Sequence, residues 1–169
     1  MPMMRPQPQP LQWRLAMAAN NSLSLSVQFA DRRLSEQLTR AKIRRWVQAA
    51  QLAPAELTIR FVDAEEGRIL NRDYRSKDYA TNVLTFAYND HEEEDIVRAD
   101  IVLCSDVLMK EAAEQDLSLE QHTAHLVVHG VLHAQGYDHE NDEEAAEMEQ
   151  LETEILARLG IPDPYLKRD

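Results

Sequence analysis

The stretch HGVLHAQGYDH, residues 129–139, decides how the second half of this chain is interpreted. His129 and His133 are four residues apart, so on a helix they project from the same face one turn apart. Gly136 can adopt the positive φ that ends a helix, which lets the chain bring His139 toward the same point. Three imidazoles that converge on one ion are typical of a catalytic zinc site, which keeps a fourth position for water.

The histidine spacing leaves two alternatives open. Asp138 or Asp142 could supply a fourth ligand and turn the site into a closed, structural one. The same spacing occurs in zinc proteases, where a glutamate that serves as base follows the first histidine, but here that residue is Gly130. Glycine cannot accept a proton, so protein hydrolysis is disfavoured without being excluded. We expect His122 and His125, upstream on the same helix, to pack or to support the ligands rather than bind the ion.

Composition limits the class of protein. The 169 residues are the size of one ordinary domain, and 44% hydrophobic with 28% charged residues indicates a soluble globular chain. No apolar run approaches the ~18 residues of a membrane span, so no membrane partner is expected. Cys104 is the only cysteine, which excludes an intrachain disulfide and agrees with a cytoplasmic location.

The N-terminal residues differ from the rest of the chain. Residues 1–20 contain four prolines, and Gln12 and Arg14 interrupt the apolar region that a secretory signal would need. We expect residues 1–20 to be a disordered extension and residues 21–169 to form a single domain.

The net charge of -12 is unevenly distributed. Residues 1–30 hold two arginines and no acid, and residues 31–77 hold eleven basic against seven acidic residues, a net of +4. Residues 78–169 hold five basic against twenty-three acidic residues, a net of -18. The basic segment keeps a nucleic-acid partner open despite the overall acidity.

Hydrophobic periodicity predicts an α+β fold. Four segments have the pattern of strands: residues 22–29, 57–62, 82–88 and 99–104. Five segments have helical periodicity or helix-start signals: residues 35–51, residues 64–74, and the stretches that follow Ser105, Ser118 and Asn141. We therefore expect one domain with a small mixed sheet of about four strands packed by about five helices. The metal site would lie on a central helix and the turn after it.

Three stretches of the chain together resemble the YbeY family of bacterial endoribonucleases. They are the histidine motif, LNRDYRSKDYATNVLTF at 70–86 and ADIVLCSDVL at 99–108. The resemblance covers residues 22–165. It implies one zinc ion per chain, held by His129, His133 and His139, and metal-dependent cleavage of single-stranded RNA. It also implies a role in ribosomal RNA processing, especially at the 3′ end of 16S rRNA, and in ribosome quality control. The implied partners are rRNA precursors, the small ribosomal subunit and its assembly factors, and no DNA is expected.

The resemblance also carries over individual site residues. Arg75, the arginine of the Tyr-Arg-x-Lys-Asp segment, would lie in the catalytic cleft with His129, and these two are the expected catalytic residues. A guanidinium can donate two hydrogen bonds to phosphoryl oxygens and stabilise charge that develops during cleavage. Arg72 and Lys77 are further candidate RNA contacts.

Neither the proton acceptor nor the reaction class is settled by these residues. The proton acceptor is not assigned, although Asp138 and Asp100 are candidates. A zincin-like metalloprotease, which would need a base near the metal, is one alternative function. A non-catalytic ribosome-assembly module stabilised by its metal is the other, and it would need a fourth protein ligand.

Overall fold

The computed structural model of the chain describes residues 22–88 and 96–166. The disordered extension expected over residues 1–20 lies outside these ranges. Among the helices in these two ranges, none combines the length and the apolar character that crossing a lipid bilayer would require.

The described ranges contain four strands and five helices. The strands are β1 (Leu23–Phe29), β2 (Ala55–Val62), β3 (Val83–Ala87) and β4 (Val97–Cys104). The helices are α1 (Arg40–Ala50), α2 (Ala64–Arg75), α3 (Ser105–Glu114), α4 (Leu119–Ala134) and α5 (Asp142–Arg158). The sheet order is β1-β2-β4-β3, in which β3 alone runs antiparallel to its neighbour. The predicted α+β class, with a small mixed sheet and about five helices, is confirmed.

Helices α4 and α2 cover opposite faces of the sheet. Side chains alternate along β4, so Ile101 points to one face while Val102 and Cys104 point to the other. A Cβ atom added to Gly130 of α4 would meet Ile101. A Cβ atom added to Gly67 of α2 would meet Cys104 instead. The edge strand β3 is therefore flanked by α4 on one side and by α2 on the other.

The larger hydrophobic core lies on the α4 face. Inward side chains of β1, β2 and β4 pack there against the apolar faces of α1, α4 and α5. Burial alternates residue by residue along β1, as its sequence pattern predicts. Ten of the sixteen residues of α4 are buried, so it is the central helix of the domain. Groups that α4 presents at its end are consequently held in fixed positions.

Three helix starts can be compared with the predicted ones. Ser118 and Gln121 form the predicted capping box at the start of α4. The helix predicted from residue 35 begins at Arg40, because the hydroxyl of Thr39 caps it and the preceding residues form turns. Ser105 was expected to cap α3 but is its first residue, and the side chain at the cap position makes no capping bond.

Candidate metal centre

The turn after α4 brings the third histidine back to the first two. Gly136 has a φ of 102°, the left-handed conformation that its place after the helix predicts and that favours glycine. The ring centroid of His139 lies 5.7 Å from that of His129 and 6.2 Å from that of His133. The three histidines of the motif thus lie side by side at the C-terminal end of α4.

Hydrogen bonds determine which nitrogen of each α4 histidine faces outward. Nδ1 of His133 lies 2.9 Å from the carbonyl oxygen of Tyr137, which can only accept, so Nδ1 donates and Nε2 keeps its lone pair. Nδ1 of His129 makes a hydrogen bond with the carboxylate of Glu152. Metal-binding histidines characteristically donate their second ring N–H to a carboxylate or a carbonyl in this way.

The three imidazoles are ligands of a type that zinc prefers. Zinc binds neutral imidazole at about 2.0–2.1 Å, which would put neighbouring ring centroids about 5 Å apart in a tetrahedral site. The observed separations of 5.7 and 6.2 Å are wider than that spacing, so the His139 ring would have to move closer to the other two to share an ion with them. His139 is exposed and His129 and His133 are half-buried, so an ion can reach all three rings from solvent.

Glu152 is the residue of this site that sequence reasoning missed. It is fully buried on α5, between the buried residues Leu151 and Ile155. Burial raises the pKa of its carboxyl group, but hydrogen bonds from the imidazoles of His125 and His129 outweigh this and hold the pKa at about 2. A single acid inside an apolar stripe is a signal in the sequence, because a buried carboxylate needs partners.

Gly130 faces the sheet. A Cβ atom at this position would lie 3.0 Å from Cγ2 of Ile101 and 3.4 Å from Oγ1 of Thr85. Glycine therefore allows α4 to pack closely on β3 and β4. A glutamate here would point into the sheet, so the base of the zinc proteases has no equivalent at this position.

Several carboxylates lie next to the third histidine. Ligand oxygens of Asp138, Glu140 and Glu144 lie within 4.8 Å of one another. Oδ1 of Asp138 accepts a hydrogen bond from the backbone N–H of His139 at 2.8 Å. Asp142, the other fourth-ligand candidate, is the first residue of α5. Asp138 is thus the candidate proton acceptor that the fold brings beside the histidines.

Asp100, the second candidate proton acceptor, is in a different place. It alternates with Ile101 along β4, so its side chain points to the sheet face opposite α4. Its carboxylate accepts a hydrogen bond from the hydroxyl of Tyr88 at 2.6 Å. The structure therefore does not bring Asp100 together with the three histidines.

Arg75 is the exposed last residue of α2. The neighbouring ring of Tyr74 contacts Phe86 of β3, with centroids 5.0 Å apart. Phe86 follows Thr85, the β3 residue that Gly130 of α4 faces. The end of α2 and the histidine turn thus flank the same edge strand from opposite faces. The Arg75 side chain makes no hydrogen bond or ion pair with any residue in the part of the chain that the structure describes.

Arg72 and Lys77 lie on either side of Arg75 and are both exposed. Nε of Arg72 lies 3.1 Å from a carboxylate oxygen of Asp73. An ion pair this exposed contributes at most about 1 kcal/mol, so a phosphate could replace the carboxylate. The three residues form a cationic end of α2, which is accessible to an anionic ligand.

Comparisons with known proteins point to one family. Residues 18–160 match the sequence profile of a family described as Endoribonuclease YbeY. A protein of that name from Janthinobacterium sp. (strain Marseille) is 66% identical over 150 residues, which cover 89% of this chain and 99% of that protein. Its namesake from Herminiimonas arsenicoxydans is 65% identical over 152 residues, covering 87% and 97%. A solution structure from Thermotoga maritima is 22% identical with a TM-score of 0.49, covering 85% and 99%.

Proposed function

The chain belongs to the YbeY endoribonuclease family, and from this premise we propose that it cleaves single-stranded RNA by metal-dependent hydrolysis. One zinc ion per chain would be held by His129, His133 and His139. The observation that carries this proposal is the pair of Nδ1 hydrogen bonds, to Glu152 and to the Tyr137 carbonyl, which leaves Nε2 of both α4 histidines available as a ligand. We also propose that residues 21–169 act as a single catalytic domain.

A zinc ion in this position would supply a Lewis acid and lower the pKa of bound water toward about 7. The residues around it have separate tasks. Glu152 orients His129, and the Tyr137 carbonyl orients His133, so that both ring planes are set before the ion binds. Asp138, hydrogen-bonded to the backbone of His139, is a carboxylate beside the histidines that could take up a proton.

Arg75 would act on the phosphate from the other side of β3. Because β3 is an edge strand, an RNA strand lying across it can approach the histidines and the end of α2 together. The guanidinium of Arg75 carries paired N–H groups that can donate to two phosphoryl oxygens. Arg72 and Lys77 would contact flanking phosphates.

The proposed biological substrate is precursor ribosomal RNA, with cleavage at the 3′ end of 16S rRNA and a part in ribosome quality control. The family membership supports this assignment. A net charge of -12 disfavours tight unaided binding to RNA, so we propose that the small ribosomal subunit and its assembly factors deliver the enzyme to its substrate in the cytoplasm. The protease alternative gains no support, since position 130 faces the sheet.

A cleavage assay tests the proposal directly. Purified protein is incubated with a 3′-extended small-subunit precursor RNA, with and without a chelator, and in parallel with an unfolded protein substrate. We expect RNA cleavage that the chelator stops and added zinc restores, and no proteolysis. Undiminished RNA cleavage by metal-free protein would refute the metal proposal, and proteolysis would favour the zincin alternative.

A further inference from the structure

The segment after α5 folds back toward the metal centre. Gly160 has a φ of 78°, and the N–H of Ile161 donates to a carbonyl one turn back in α5 at 2.9 Å, which reverses the chain. Oδ1 of Asp163 accepts from the N–H of Tyr165 at 2.8 Å and lies 3.4 Å from the hydroxyl of Thr153 on α5. These contacts hold Tyr165 against α5.

The Tyr165 hydroxyl lies between two side chains of the site. It donates to Oε2 of Glu152, while Oε1 of the same carboxylate contacts Nδ1 of His129. The Tyr165 oxygen lies 3.1 Å from Nε2 of His125, and the two rings meet edge to face with centroids 5.4 Å apart. Although Tyr165 is 43% exposed as a residue, its hydroxyl is directed inward at these partners. Partial burial and the Glu152 charge raise the pKa of Tyr165, so the hydroxyl stays a donor.

We propose that Tyr165 is a positioning residue for the metal centre. Together with His125 it holds one oxygen of the Glu152 carboxylate, so that the other oxygen can keep His129 in the tautomer whose Nε2 binds the ion. The carboxylate is fully buried, so no solvent donor stands ready to replace the tyrosine hydroxyl. This inference rests on the proposed metal-dependent function and adds to it a residue outside the histidine motif.

Zinc affinity of the purified apo-protein tests the inference without any RNA. We expect Tyr165→Phe, which keeps the ring and removes the hydroxyl, to bind zinc about 3- to 10-fold more weakly in competition with a chelator. Glu152→Gln, which alters the direct partner of His129, should weaken binding about 10- to 100-fold. Tyr88→Phe is the matched control, because it removes a tyrosine–carboxylate hydrogen bond of 2.6 Å on the other face of the sheet. Its zinc affinity should equal that of the wild type.

Three further measurements separate positioning from a general loss of structure. In the double variant Glu152→Gln/Tyr165→Phe, zinc affinity should equal that of Glu152→Gln alone, since Tyr165 acts through Glu152. Nitrogen-15 spectra of the imidazoles should show His129 protonated at Nδ1 in the wild type and as a mixture of tautomers in Tyr165→Phe. Circular dichroism melting of the apo forms checks that both variants fold.

The possible outcomes distinguish the positioning role of Tyr165 from the proposed metal-dependent function. Wild-type zinc affinity in Tyr165→Phe, or fully additive losses in the double variant, would overturn the positioning role alone. A folded wild-type protein that does not bind zinc would overturn the proposed metal chemistry, and the positioning role with it.

Discussion

The histidine turn of α4 and the cationic end of α2 flank the same strand but are built in opposite ways. The cationic end comprises three exposed residues, Arg72, Arg75 and Lys77. Both α4 histidines are oriented by internal hydrogen bonds, whereas Arg75 has no internal partner within the described ranges. Metal coordination demands ligand distances within about 0.2 Å, so its ligands benefit from being fixed in advance. A flexible RNA backbone can instead be bound by long basic side chains whose conformations adjust to it.

This difference separates the expected effects of substitution. A change on the histidine side should remove the metal and the activity together. A change at the cationic end should weaken the handling of the phosphate and leave the metal in place. Measurements that report zinc content and RNA cleavage separately can therefore test whether the two regions have separate tasks.

The largest effect is expected for His129→Ala. Two imidazoles do not hold zinc as tightly as three, so the bound zinc should fall from one ion per chain to none after dialysis. RNA cleavage should fall to about one thousandth of the wild-type rate or less, because water is no longer activated. Elemental analysis and a gel-based cleavage assay measure the two quantities. A folded, zinc-free variant with wild-type activity would contradict metal catalysis.

The next largest effect is expected for Arg75→Ala. Loss of a guanidinium that stabilises developing phosphate charge should lower kcat/KM about 100- to 1000-fold. Zinc content should stay at one ion per chain, since Arg75 lies on the other side of β3 from the histidines. Arg158→Ala is the matched control, because Arg158 is the exposed last residue of α5, as Arg75 is of α2. Equal losses in both variants, or loss of zinc from Arg75→Ala, would remove the distinction between the two regions.

The two sides also differ in how much of them the sequence predicts. The spacing of His129, His133 and Gly136 predicts the histidine turn, because ligands and turn lie within eleven consecutive residues. The supporting residue Glu152 lies 23 residues beyond His129, and only the packing of α5 on α4 brings the two together. Periodicity predicts that a helix follows Asn141, but it does not predict which polar contact a residue on its buried face makes.

The cationic end shows a second limit of sequence reasoning. The charge of Arg75 and its place at the end of a helix are local properties and can be predicted. Its position relative to the histidines depends on which face of the sheet each helix covers. The two faces are distinguished by Ile101 and Val102, which point to opposite sides of β4, and by the order of the strands in the sheet. The same alternation turns Asp100 away from the histidines, which the sequence alone does not reveal.

A smaller effect concerns how tightly each helix packs on the sheet. Gly130→Ala would place Cβ 3.0 Å from Cγ2 of Ile101, which is fully buried and would have to shift by a few tenths of an ångström. Gly67→Ala, on the opposite face, would meet Cys104 at an ordinary 3.5 Å. Both substitutions gain up to about 1 kcal/mol of helix propensity, but only Gly130→Ala also incurs about 1–3 kcal/mol of overpacking. In urea unfolding, the free energy of unfolding of Gly67→Ala should equal or exceed that of the wild type, and that of Gly130→Ala should be lower than that of Gly67→Ala. The reverse order would mean that the sheet is packed less tightly on the α4 face than on the α2 face.

The smallest effects are expected for Lys77→Ala and Arg72→Ala. If each residue contacts one phosphate of a single strand, its removal should raise KM a few-fold and flatten the salt dependence of RNA binding by about 0.7 in log–log slope, with kcat unchanged. Lys77 should matter more, because Arg72 already lies 3.1 Å from Asp73 and must give up that ion pair to bind RNA. Binding titrations at several salt concentrations measure both slopes, with Arg158→Ala again as the control for lost charge. If the salt slope is unchanged in both variants, Arg75 is the only one of these three residues that binds phosphate. If Arg72→Ala loses more RNA affinity than Lys77→Ala, the ion pair with Asp73 does not weaken RNA binding by Arg72.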